Sequence, residues 1–410
     1  MTFYSVSRRG MLGTVMGAAV TLFGLSTTGV SADEPPIKIG LTTDLTGIAA
    51  TYARAQVDSV QLAIDEINEA GGINGRKLEL LVRDSKLKPE LGSSLTRDLI
   101  VREKIDYLIG PDASSVGVAV TGVAKQYKKI VVMTIPNTPR LVGELFHPYF
   151  FTIVPSGTML ARAMAEGIGQ DNEKIAFIGG DYEASHQAVK YFGAWLEKVN
   201  PKAKIISEQW PKLGEPDFTP YITQLMSAQP DIIFSYLWGA DLIAFIKQAK
   251  PYGLFEKTKF ATLLFTDDLV ALGDDMPDGV IGQMYAPAFG TKSEKMDAFI
   301  KKFTDKFGHY PSDWAVMGYD GMMILAQGIK DTNVGDSDAV SAAIQKLKFD
   351  GLQGEVVFRE VDHQGNVPSF LGTTGKVEGL PFKGLVDIKR IPAETVMPTP
   401  EEILAQRKGG

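Results

Sequence analysis

Three short stretches carry residues suited to holding a small anion. The first is Ile109-Gly110-Pro111-Asp112-Ala113-Ser114-Ser115, set between an apolar run and a helical pattern. Two hydroxyls beside the unpaired N–H groups of a helix start suit a carboxylate. Capping of that helix by Ser114 or Ser115 accounts for the same residues equally well. The second is Thr134-Ile135-Pro136-Asn137-Thr138-Pro139, at the end of the next apolar run, where open α/β sheets bind ligands. Thr138 offers a hydroxyl there and the neighbouring backbone offers carbonyls for an amine; a proline-rich turn without a ligand is the competing reading. The third, Tyr236-Leu237-Trp238-Gly239, puts an aromatic at another such end, placed to cover a ligand's apolar part or to pack as aromatics commonly do.

Signatures of catalysis are missing. The chain has no His-Glu-x-x-His, no Gly-x-Ser-x-Gly, no phosphate-binding loop and no Gly-x-Gly-x-x-Gly after its first apolar run. His147, His186, His309 and His363 are scattered without metal-ligand spacing, so no metal or cofactor is expected. Adjacent acids such as Asp267-Asp268 and Asp274-Asp275 are chemically able to exchange protons, but solvation or capping is the commoner use of such pairs. Asp362-His363-Gln364-Gly365-Asn366 lacks the further ligands of a calcium loop and reads as a turn.

The elements that must position these residues alternate regularly. Candidate strands are 37–43, 78–84, 107–110 and 130–135, then 175–179, 205–209, 232–236 and 260–265, with a further extended run at 280–287. Most are continuous apolar runs, as expected of parallel strands buried on both faces. Between them lie helical patterns. In 54–69, Val57, Val60, Ile64 and Ile67 share a face, and Gly71-Gly72 terminates the helix. Repetition of this kind implies right-handed βαβ units and two doubly wound parallel sheets. The break between the two series falls near 149–155, a strand-like stretch between two prolines. Two helices are expected at 293–307 and 313–330, then a β-rich segment at 353–391 and a polar, frayed tail.

The first 32 residues read as an export signal: an arginine pair, Arg8-Arg9, an uncharged run from Gly10, and small residues at Val30-Ser31-Ala32. Arg8-Arg9 followed by Met11-Leu12 resembles a twin-arginine signal, although Gly13 stands where a lysine often follows, which leaves the general secretory route open. Cleavage is expected after Ala32. The run is long enough to span a bilayer, but its glycines and hydroxyl residues make it a poor anchor. The leader holds two of the 42 basic residues and none of the 49 acidic ones, so the remainder is net −9. Such a balance argues against nucleic acid as a partner. With no cysteine there is no disulfide, thiolate nucleophile or cysteine metal site, nor a residue to lipidate.

Taken in order, the pieces resemble the periplasmic solute-binding proteins of the leucine/isoleucine/valine and amide type, partners of ABC importers. The resemblance begins at Ile39-Gly40-Leu41-Thr42 and runs through Asp65-Glu66-Ile67-Asn68-Glu69-Ala70-Gly71-Gly72-Ile73-Asn74-Gly75. It continues through Gly110-Pro111 with Ser114-Ser115, Pro136-Asn137-Thr138-Pro139, Pro230-Asp231-Ile232-Ile233, Gly318-Tyr319-Asp320-Gly321 and Gly351-Leu352-Gln353-Gly354 with Phe358. It implies the α/β fold of the type I periplasmic binding proteins, two lobes joined by three hinge crossings. The expected lobes are 33–150 plus 288–348 and 151–287 plus 349–395, with 396–410 as a flexible tail. By matching position, Ser114 takes the ligand carboxylate with Ser115 nearby, and Thr138 and the Pro136 carbonyl contact the carboxylate or amine side. Tyr52 matches a first-lobe aromatic and Trp238 a second-lobe aromatic over the ligand.

Two departures bear on the ligand. Ala184 stands where relatives place a covering aromatic, with Tyr182 the available substitute. For the acid that pairs with an ammonium, Asp267 is the nearest candidate. A pocket without that acid takes aromatic or aliphatic acids instead of α-amino acids. The resemblance implies a monomer in the periplasm that hands a small amino acid or carboxylate to a membrane permease. The competing readings are a ligand-sensing module and, more remotely, an exported hydrolase using Asp267 or Ser156.

Overall fold

The structure is a computed structural model that describes residues 34–47, 49–291 and 293–408. The export signal and its cleavage point fall outside the described residues. From Pro35 onward the chain forms one unit, built on two sheets.

The first sheet begins with β1 (Ile37–Thr43), whose residues are buried apart from the half-buried Lys38. It continues through β2 (Leu78–Asp84), β3 (Tyr107–Ile109), β4 (Val131–Met133) and β5 (Phe150–Thr152). The order is β2-β1-β3-β4-β5 and every pairing is parallel. Parallel strands need long crossovers, and α1 (Ala50–Glu69), α2 (Pro89–Val101) and α3 (Ser114–Gln126) supply three of them.

After β5 the chain passes into the second sheet through α4 (Gly157–Ile168). There β6 (Lys174–Ile178), β7 (Lys204–Gln209), β8 (Ile232–Ser235), β9 (Lys259–Leu263) and β10 (Ile281–Met284) are parallel, interleaved with α5 (Glu183–Val199), α6 (Thr219–Ser227), α7 (Gly239–Ala249), α8 (Leu254–Lys257) and α9 (Thr266–Leu272). A second crossing returns the chain to the first lobe as α10 (Glu294–Phe307), α11 (Asp313–Lys330) and α12 (Ser337–Lys346). Helix α11 lies so close to α1 that a Cβ added at Gly318 would stand 2.3 Å from Ser59 Oγ. The glycine in the Gly318-Tyr319-Asp320-Gly321 motif is therefore a condition of that packing.

The hairpin β11 (Lys348–Gly351) and β12 (Gly354–Val357) also belongs to the first lobe, contrary to the boundary expected at residue 349. Asp320 on α11 accepts the Leu352 N–H at 2.9 Å, and Gly365 N–H bonds Thr152 O beside β5 at 2.8 Å. Only then does a third crossing lead to β13 (Ser369–Lys376) and β14 (Lys383–Ile391), which join the second sheet antiparallel in the order β14-β13-β10-β9-β8-β6-β7. The second sheet is thus parallel from β6 to β10, as expected, with the late β-rich segment added antiparallel at one edge.

The tail is the other correction. After α13 (Ala393–Val396), α14 (Pro400–Lys408) returns to the first lobe and is ordered by specific contacts. Ile403 is fully buried in the cluster formed by Leu99, Leu108, Val131 and Phe150. The Arg407 guanidinium lies 4.2 Å from the Phe146 ring centre and donates to Val142 O. Glu402 pairs at 2.9 Å with Arg162 on α4, whose guanidinium also donates to Met397 O. The tail therefore makes a fourth passage between lobes. Replacing Ile403 by Asp removes a buried apolar anchor and buries a carboxylate; it is expected to destabilise the protein by about 2–5 kcal/mol, measured as a drop in the urea unfolding midpoint.

Candidate functional site

Both sheets present the carboxyl ends of their parallel strands to one cleft. The helices that follow those strands begin there, so their partly positive N-termini face the same space. The cleft holds a cavity of about 560 Å³ lined from both lobes. Tyr52 on α1, Ser114 and Ser115 opening α3, and Thr138 after β4 line it from the first lobe. Tyr182 and Trp238, immediately before α5 and α7, line it from the second.

Ser114 does not cap α3; the capping position is Ala113, which makes no side-chain bond. The hydroxyl instead receives the backbone N–H groups of Asn137 and Thr138 at 3.2 and 3.3 Å, fixing the β4 loop against the helix start. The first N–H groups of α3 have no acceptor within their own helix. Asp112 ties a second loop in place by accepting the Asp44 N–H at 2.9 Å through Oδ2. Its buried Oδ1 has no partner, and burial pushes its carboxyl up to about 6.

The walls are aromatic. Tyr52 lies 6.5 Å from Trp238 across the cleft and 5.5 Å from Trp314, measured between ring centres. Phe265 meets Trp314 at 4.7 Å and Tyr285 edge-on at 5.2 Å. On the second lobe, Trp238 Nε1 donates to Tyr182 Oη at 3.0 Å. That bond pairs Tyr182 with the covering tryptophan. Ala184 lines the cavity beside it without adding a ring.

Two expected site residues lie elsewhere. Pro136 is buried with its ring against Gly117 of α3 and does not line the cavity, because the loop turns its neighbours Ile135 and Asn137 inward. Asp267 is also absent from the lining. It sits among Ser312, Asp313 and His309, beneath the aromatic wall. Conversely, Asn137, Phe265, Tyr285 and Trp314 line the cavity without having been singled out from the sequence. For Tyr285 a signal existed, its place at the end of an extended run.

Beneath the wall, Asp313 Oδ1 accepts the N–H groups of Tyr285 and Ala286 at 2.9 and 2.8 Å, pinning the second crossing to the start of α11. Burial pushes the carboxyls of Asp267, Asp268 and Asp313 up to about 7, 8 and 6. Among the described residues no cluster of acids and histidines could hold a metal ion, and no helix is long and apolar enough to cross a membrane.

A hinged pair of α/β lobes with a ligand-sized cavity between them defines a two-lobe binding protein. The chain belongs to the periplasmic binding protein family, whose model matches residues 36–376. Members of that family are substrate-binding proteins, and the membership implies an extracytoplasmic location. A Leu/Ile/Val-binding protein homologue from Brucella abortus is 24% identical over 378 residues, covering 88% of each chain. A Rhodopseudomonas palustris ABC-transporter solute-binding protein in complex with benzoate shares the fold with a TM-score of 0.77 at 19% identity, covering 87% of this chain and 97% of that one. A Streptococcus pneumoniae branched-chain amino acid transporter substrate-binding protein, in complex with isoleucine, has a TM-score of 0.75 at 20% identity, covering 87% and 99%.

The three buried acids set a pH dependence. Their native values lie above the ordinary 3.8, so between roughly pH 4 and pH 8 the folded state holds more protons than the unfolded one. Stability from this group is greatest below that window and falls as pH rises through it. Urea midpoints measured across the window are expected to show a slope that flattens in Asp268→Asn.

Proposed function

We propose that this protein captures a small carboxylate with an apolar or aromatic body between its lobes and delivers it to an ABC importer. One observation carries the reading: a cavity that joins the start of α3, with Ser114, to a wall of rings from both lobes. The helix start and the Ser114 and Thr138 hydroxyls supply donors for the anion. Tyr52, Trp238, Phe265 and Trp314 supply apolar faces for its body. Ligand contacts to both lobes favour the closed form. The closed protein then docks on a permease as a monomer, in the periplasm, after export and cleavage of its leader. No enzymatic step is needed for this role.

Displacement of Asp267 from the cavity removes the acid expected to pair with an α-ammonium, which favours acids that lack one. A second reading, an α-amino acid ligand, has its own support in the unpartnered Oδ1 of Asp112, a cavity-lining residue. The named relatives bind both kinds of molecule.

A thermal-shift screen separates the readings. Benzoate and 4-hydroxybenzoate are expected to raise the melting midpoint by mass action more than leucine or phenylalanine do. A larger shift with the amino acids, abolished in Asp112→Asn, reverses that assignment. Under either reading Ser114→Ala is expected to weaken binding by about 1–3 kcal/mol, and unchanged affinity in calorimetry removes Ser114 from the site.

A further inference from the structure

Ser114 and Tyr285 reach the cavity from different parts of the molecule. Ser114 opens α3 in the first lobe; Tyr285 follows β10, where a second-lobe strand becomes the second crossing. One side chain touches both. Asn137 Nδ2 donates to Tyr285 Oη at 2.8 Å, and Ser114 Oγ lies 3.3 Å from Asn137 Oδ1. Having accepted from Asn137, the phenol keeps its own proton for another acceptor, and among the described residues no protein group receives it. Tyr285 is nevertheless buried and lines the cavity. The Ser114 proton is held only by the long contact to Oδ1. The two ends of one side-chain amide therefore hold two hydroxyls close together, each with a proton to give. A carboxylate accepts O–H bonds of about 2.7 Å at each oxygen, and so it matches such a pair.

We infer that Asn137 is a positioning residue that aims the Ser114 and Tyr285 hydroxyls at one shared ligand carboxylate. The inference rests on the carboxylate reading of the cleft and holds with or without an α-amine. Its consequence is mechanical. Tyr285 directly follows the second-lobe strand β10, so an anion held by both hydroxyls ties α3 of the first lobe to the end of that strand. Occupancy and closure are then coupled through a single contact made only when both parts are in place.

The test uses calorimetry and small-angle X-ray scattering with whichever of benzoate and leucine the wild type binds more tightly. Tyr285→Phe keeps the ring and its packing. It and Asn137→Ala are each expected to weaken binding about 10-fold or more. Because both act on one contact, the double variant is expected to be little weaker than either single one. Ligand-induced contraction is expected to be lost in Asn137→Ala at saturating ligand. Unchanged affinity in either single variant, additive losses, or a retained contraction overturns the inference. If the wild type binds neither probe, the proposed function falls together with it. If the wild type binds but the variants behave as the wild type, only the inference falls.

Discussion

The constraint that organises this molecule is the facing of two sheets by their carboxyl edges. Each parallel βα unit ends its strand and begins its helix on the same side. Bringing two such sides together places the starts of α1, α3, α5, α7 and α9 around one space. Backbone geometry alone therefore makes the cleft rich in donors before any side chain is chosen. The antiparallel pair β13–β14 completes the second sheet at its edge.

Side chains then divide the cleft by chemistry. Small hydroxyl residues occupy the α3 end, and rings from both lobes make up much of the rest, beside Arg140, Glu183 and aliphatic side chains. The rings also serve the hinge, since Phe265, Tyr285 and Trp314 pack together where the second crossing leaves β10. Asp313 fastens that crossing with two backbone bonds from beneath. Wall and hinge are one cluster, so a ligand pressed on the wall also touches the element whose movement opens the cleft.

Much of this was legible in the sequence, for identifiable reasons. Buried parallel strands leave continuous apolar runs, and β1 and β8 stand where those runs stand. Helix α11 begins and ends at the residues its pattern marked. Ser114, Thr138 and Trp238 line the cavity because each lies where the loop after a strand leads into the cleft. What escaped notice depends on distant segments meeting. Trp314 reaches the cavity from late in the chain with nothing local to mark it as a wall residue, and Tyr285 is marked only by its place at the end of an extended run. Asp267 is two residues beyond the wall residue Phe265, yet the start of α9 turns it toward Ser312 and Asp313. The hairpin at 348–357 gave no sign of its lobe, because Asp320, which holds it, lies on another helix. The last helix escaped because a single buried residue, Ile403, anchors a segment whose other side chains are exposed or half-buried.

That last helix has a bearing on how the chain comes together in time. Ile403 completes a cluster whose other members, from Leu99 to Phe150, are made early in synthesis. Synthesis has passed through the whole second lobe before this patch is covered. The first lobe is begun first and finished last, and its partner must be built in the interval between. The first lobe is incomplete until the second has been made, so loosening of the last helix is felt in the part of the molecule built first.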